Sequence, residues 1–140
     1  MILYLDTSSL VKYYIDEEYS EQVRCWAEDA EILATSRIAY PEMLSAFSRR
    51  MREGDIAEQD FKKIYTQMDS EWPNYAVLDI DEKKAGILVV KHGLRGFDAV
   101  HLEAVLALQM GAEHIRIEFT SFDKKLNKAA SSEGLDVKKK

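Results

Sequence analysis

One cysteine, two prolines and six glycines are all that 140 residues hold of the types that staple or punctuate a chain. A lone Cys25 closes no internal disulfide, which excludes the small secreted scaffolds that depend on several. It sits in a helix-like segment with no His nearby in sequence, so packing rather than nucleophilic chemistry is its expected role. So little Gly and Pro argues against a loop-rich all-β sandwich and for helices joined to a few strands. No apolar run approaches the roughly 20 residues of a membrane span, and the start, Met1-Ile2-Leu3-Tyr4-Leu5-Asp6, has neither the basic leader nor the length of a signal peptide. A cytoplasmic protein with no membrane partner is the expectation. Positive charge is also short: 19 Lys and Arg face 25 Asp and Glu, a net charge of −6. That disfavours binding nucleic acid by bulk charge, but not an enzyme that gathers carboxylates to hold metal ions.

What is present is an ordinary globular balance, 46% apolar and 31% charged, in a length suited to one domain over 1–140. Ile2 to Leu5 reads as a buried strand, and Asp6-Thr7-Ser8 as the cap of a helix through Leu10 to Ile15. A second helix is expected from about Glu18 to Ala30 and a strand from Ile32 to Thr35. A third helix, Arg37 to Met51, carries a core stripe at Tyr40, Met43, Leu44, Phe47 and Met51. Gly54 stops it, and Asp55 is expected to cap a fourth with Phe61, Ile64, Tyr65, Met68 and Trp72. Tyr75 to Ile80 suits an edge strand, and Asp81 caps a helix to about His92. Gly96 to Met110 is apolar almost all round, hence central and buried. His114 to Thr120 alternates as a half-buried strand, and a last helix from Phe122 to about Ser132 ends at Gly134. Residues 133–140 are expected to add an edge strand at Leu135-Asp136-Val137 and then a frayed basic tail. Strands alternating with helices imply an α/β sandwich with a mostly parallel sheet.

In open sheets of this kind, functional groups collect beyond the carboxyl ends of the strands. Asp6 and Asp123 both follow strands, and Asp98 lies in the first turn of the apolar helix. Each alone reads as a helix cap or a dipole partner. Three together suggest one acidic edge, and a carboxylate in so apolar a helix needs a partner. Glu42 falls about 200° from Tyr40, on the face of Ser45 and Arg49. Periodicity leaves open whether that face meets solvent or a cleft. Basic clusters at Arg49-Arg50-Arg52, at Lys124, Lys125 and Lys128, and at Lys138 to Lys140 read most simply as solvated surface.

The stretches Leu5-Asp6-Thr7-Ser8-Ser9-Leu10-Val11-Lys12, the Glu42 helix, Leu94-Arg95-Gly96-Phe97-Asp98-Ala99-Val100-His101-Leu102 and Thr120-Ser121-Phe122-Asp123 occur in order along the chain. Together they resemble a PIN-domain ribonuclease, most closely the VapC toxins of prokaryotic toxin–antitoxin pairs, over residues 2 to about 130. The resemblance implies a three-layer α/β sandwich and a Mg²⁺- or Mn²⁺-dependent endoribonuclease. It maps the acidic metal site onto Asp6, Glu42, Asp98 and Asp123, and small hydroxyl residues beside it onto Ser8 and Ser121. It also implies an antitoxin protein as partner. Arg49 and Arg95 are candidate contacts to RNA phosphates. A homodimer is expected as the free form, with the helices around Leu10 to Ile15 and Phe61 to Trp72 as docking surface.

Physical chemistry points the same way. Hard divalent ions prefer oxygen ligands, so four carboxylates without a Cys/His cluster suit Mg²⁺ or Mn²⁺ rather than Zn²⁺. Without metal, the crowded acids should repel and at least one should titrate high. His101-Leu102-Glu103 matches the H-x-E of zinc deaminases, but its P-C-x-x-C partner is missing. His92 and His114 have no ligand spacing. His101, one turn after Asp98, could support the site, though core packing is the simpler reading. An aspartyl phosphatase would need a second Asp where Ser8 stands. A PIN-like interaction module without catalysis is the other alternative.

Overall fold

The computed structural model describes residues 1–140 as one five-stranded sheet between two layers of helices. The strands are β1 (Ile2–Leu5), β2 (Ile32–Ser36), β3 (Ala76–Leu78), β4 (Ile117–Thr120) and β5 (Asp136–Val137). All neighbours pair parallel, in the order β3-β2-β1-β4-β5. The helices are α1 (Thr7–Tyr14), α2 (Ser20–Glu28), α3 (Ala39–Arg52), α4 (Glu58–Glu71), α5 (Glu82–His92), α6 (Gly96–Gly111) and α7 (Lys124–Ser132).

The apolar run of β1 is explained by its central place. Side chains alternate across a strand. Ile2 and Tyr4 join Leu88, Leu102, Phe119 and Leu126 in one core, under α5, α6 and α7. Leu3 and Leu5 join Leu10, Val23, Met43, Phe47 and Met68 in the other, under α1 to α4. The chain lays β2 and β3 on one side of β1 and then returns to lay β4 and β5 on the other. The order therefore reverses between β1 and β4, whose carboxyl ends lie in register at Leu5 and Thr120. A cleft opens at such a reversal.

Several expectations need correction. Asp55 does not cap α4. Its N–H bonds the Arg50 carbonyl while Gly54, at φ +85°, donates to Met51, so both residues close the end of α3 in a Schellman turn. The next helix starts three residues later, behind Ala57, which offers no side-chain cap. Cys25 is exposed, on the side of α2 away from the buried Val23 and Ala27. β4 is buried on both faces rather than one. Its Glu118, beside Leu3 in register, is paired with Lys138 at 2.9 Å and Arg116 at 3.8 Å. The basic tail is accordingly not frayed at its start, where the Lys138 N–H also extends the ladder to the Phe119 carbonyl at 2.8 Å.

The docking surface expected of the first helix is absent. Leu10, Val11, Tyr14 and Ile15 are all buried, because α1 is enclosed by the sheet, α2 and α3. On α4 only Met68 is fully buried, and Tyr65 remains exposed. The most exposed apolar side chains lie elsewhere: Val90 on α5 at 86% and Met110 on α6 at 79%. The far half of α6 is thus less buried than its composition implies.

Glu118 depends on cations that reach it from the protein surface. Lys138→Ala should cost about 1–3 kcal/mol by leaving a buried carboxylate short of a partner. Urea titration of this variant, alone and with Glu118→Gln, should show a double-mutant loss smaller than the sum of the single losses.

Candidate active site

Asp6 follows β1 directly and is 3% exposed. Its Oδ1 accepts from the Ser9 N–H at 2.9 Å and the Ser8 hydroxyl at 2.7 Å, so it caps α1 as expected. The Ser8 oxygen in turn accepts from the Phe122 N–H at 3.0 Å, tying the segment after β1 to the segment after β4. Asp123 caps α7 through the Leu126 N–H. Ser121 is buried and accepts from the Asp123 N–H at 3.0 Å. It shapes that turn and does not line the acidic cleft.

Glu42, in the first turn of α3, points into the cleft and not to solvent, with 21% of its side chain exposed. Thr7 donates to its Oε1 at 2.5 Å, and His101 Nε2 lies 3.1 Å from the same oxygen. A carboxylate only accepts, so the ring donates there, while Nδ1 pairs with the buried Tyr4 hydroxyl at 2.9 Å. His101 is therefore both a core residue, at 2% exposure, and the support of Glu42. Burial pushes the Glu42 carboxyl up, but the bonds from His101 and Thr7, with the more distant charge of Arg95, outweigh it and hold its pKa below the usual range.

Asp98 is the opposite case. Burial raises its pKa, Asp123 and Asp6 add repulsion, and the Arg95 guanidinium offsets only part of this. Arg95 Nε lies 3.0 Å from Asp98 Oδ2, and its NH2 lies 3.6 Å from Asp123 Oδ2. One cation thus spans two acids, on a side chain that is 80% exposed.

All four acids, with Thr7, Ser8, Arg95, His101 and Phe122, line one open hollow of about 270 Å³. No three of them, as they stand, converge on a point at which they would ligate one ion. Arg95 supplies the neutralising charge at Asp98 and Asp123 instead. The donor set still fits a hard divalent ion: four carboxylates and hydroxyls, with both nitrogens of the one histidine already engaged. Arg49 is exposed and lines neither this hollow nor the adjoining one. It lies two turns along α3 from Glu42, about 10 Å away. Thr7 and Tyr4 were not legible as site residues. Tyr4 is hidden in an apolar strand, whereas the hydroxyl of Thr7 beside Asp6 is a usable signal.

A family profile described as PIN domain matches residues 3–131. Ribonuclease VapC45 of Mycobacterium tuberculosis is 30% identical over 110 residues, covering 76% of this chain and 76% of its own. The solved structure of FitAcB from Neisseria gonorrhoeae superposes with a TM-score of 0.67 at 19% identity, covering 99% of this chain and 97% of its own. A toxin–antitoxin complex from Klebsiella pneumoniae superposes at 0.59 and 13% identity, covering 88% of each chain.

The two perturbed acids predict opposite pH responses in chelator. Asp98, with its pKa raised, binds more protons folded than unfolded, so its contribution falls as pH climbs through that window. Asp98→Asn should gain Tm relative to the parent as pH rises above the ordinary Asp value of about 3.9. Glu42, with its pKa lowered, contributes stability above its unfolded value that is lost as pH falls through the folded one. His101→Leu should remove that contribution, seen as a flatter acid limb in the same melts and as a higher Glu42 pKa by carboxyl NMR.

Proposed function

The chain belongs to the PIN-domain family, and on that premise we propose that it is an endoribonuclease that cleaves RNA phosphodiesters with Mg²⁺ or Mn²⁺. The observation that carries this reading is the shared hollow at the β1–β4 reversal, which Asp6, Glu42, Asp98 and Asp123 line from four separate elements. These four would hold the metal. A divalent ion bound to carboxylates lowers the pKa of its water, polarises a phosphodiester and stabilises the leaving oxygen.

The remaining groups set the stage for that chemistry. Asp6 is fixed by its bonds to Ser8 and Ser9, and Glu42 by Thr7 and the His101–Tyr4 pair. Both are presented without rotamer freedom, which is the condition for precise ligation. Arg95 neutralises Asp98 and Asp123 in the present arrangement. With a divalent ion supplying that charge, its guanidinium is free to meet a substrate phosphate at the rim. A phosphatase of the aspartyl type is disfavoured, because Ser8 holds the place of the second Asp and its hydroxyl is committed to Asp6 and Phe122.

The role we propose is that of toxin in a toxin–antitoxin pair, in the cytoplasm. The curated relative carries the name of a VapC ribonuclease, and one superposed structure is a toxin–antitoxin complex. An antitoxin covering the cleft would block RNA entry without unfolding the chain. The homodimer is part of the same proposal, with the exposed apolar residues of α5 and α6, including Ile87, Val90 and Met110, as the available surface.

The purified protein should cut single-stranded or looped RNA with Mg²⁺ or Mn²⁺ and fall to background with chelator or as Asp6→Ala. Full activity in that variant would sink the assignment. Turnover of a phosphomonoester instead would indicate a phosphatase, and no turnover of either an interaction module. Light scattering should give about twice the 16.1 kDa chain mass. A co-expressed antitoxin should abolish cleavage at stoichiometric ratio.

A further inference from the structure

Arg95 faces the oxygens that a metal ion needs. Asp123 commits its Oδ1 to the Leu126 N–H at 2.8 Å, where it caps α7, so Oδ2 is the oxygen it has left to offer. That Oδ2 lies 3.6 Å from Arg95 Nη2, and Asp98 Oδ2 lies 3.0 Å from Arg95 Nε. Both carboxylates are therefore turned toward one guanidinium. A divalent ion ligated by the same two oxygens would stand within a few ångströms of that guanidinium. Two cations at such a separation repel too strongly to share the place.

The side chain has somewhere to go. Arg95 directly precedes α6, and its carbonyl is fixed by the Ala99 N–H at 3.0 Å. The side chain itself makes no capping bond and is 80% exposed. Gly96 follows it, and nothing stands within 4 Å of where a Cβ would be added there. A second open hollow, of about 310 Å³, is lined by Glu42, Arg95, Gly96, Phe97 and Asp98. Arg95 lines this hollow and the acidic one alike, so rotation about its side-chain bonds carries the guanidinium between them with the backbone at rest. Phe97 is 58% exposed and offers a ring for a guanidinium to lie against.

We propose that Arg95 is a resident counter-ion that a divalent ion must displace from Asp98 and Asp123 toward the Phe97 side, and that this exchange sets the metal affinity of the site. The exchange presupposes the reading of the hollow as a metal site. A site that is open for only part of the time loses apparent affinity in proportion. An exposed ion pair favours its closed form by a factor of up to about five, so Arg95 weakens metal binding by about that much. Any anion that draws the guanidinium outward strengthens metal binding by the same route, because coupling between two ligands is reciprocal.

Mg²⁺ titration of the full chain, followed by NMR at the Arg95 Nε–Hε resonance, reads the displacement itself. The resonance is identified by its loss in Arg95→Ala. It should start at the position of an ion-paired guanidinium and move to that of free arginine as Mg²⁺ saturates. Mn²⁺ binding measured by EPR should be about fivefold tighter in Arg95→Ala than in the parent. Arg95→Lys keeps the charge but lacks the fork that spans two carboxylates, so it should recover part of that gain. No gain in Arg95→Lys would reduce the effect to net charge and overturn the proposal. An Nε resonance unmoved at saturating Mg²⁺, or equal Mn²⁺ affinities in parent and Arg95→Ala, overturns it as well. So does the absence of saturable metal binding, which would also take the metal out of the nuclease reading. Release of Arg95 by Mg²⁺ in a protein that cuts no RNA would uphold the exchange and sink the nuclease. Mg²⁺-dependent cleavage with Nε unmoved would sink the exchange alone.

Discussion

The parallel pairing of β1 with β4 is the constraint on which the rest depends. These strands are more than a hundred residues apart in sequence, yet Leu5 and Thr120 lie in register. Asp6 and Asp123 therefore leave the sheet side by side, and the Ser8–Phe122 bond fastens the two exits together. α3 and α6 then need only lean over that edge to deliver Glu42 and Asp98. The sheet's reversal of order makes this possible, because no crossover helix covers the gap between its two central strands.

Crowding four carboxylates at one edge costs energy, and the protein distributes that cost unevenly. Glu42 is supplied with two hydrogen bonds and rests below its usual pKa, whereas Asp98 is left half-buried among like charges with one exposed arginine. Asp98 and Asp123 consequently share a cation that is loosely held. An arginine this exposed can leave such a pair, as one buried as deeply as His101 could not.

Much of this was legible in the residues. Asp6, Asp98 and Asp123 each stand where an element ends or begins, so strand and helix patterns alone placed them on one edge. The run Ile2 to Leu5 read as a buried strand because it is apolar throughout, and its central place in the sheet came only with the structure. Glu42 was harder, since hydrophobic periodicity marks only the apolar face and treats cleft and solvent alike. Asp55 misled because a turn residue after Gly54 can close one helix or open the next, and only the hydrogen bond to Arg50 decides. The tail misled for a related reason. Lys138 to Lys140 look like solvated charge until β5 brings Lys138 to Glu118 and over the Trp26 ring.

The sheet's two outer strands, β3 and β5, are three and two residues long. Short edges present few unpaired N–H and C=O groups, which is one way proteins avoid edge-to-edge association. A visiting chain therefore finds almost no backbone to copy here, and extending the sheet by a sixth strand would gain few hydrogen bonds. Recognition of this molecule falls to its side chains and helix faces, and partners can be told apart by shape and charge rather than by a shared strand geometry.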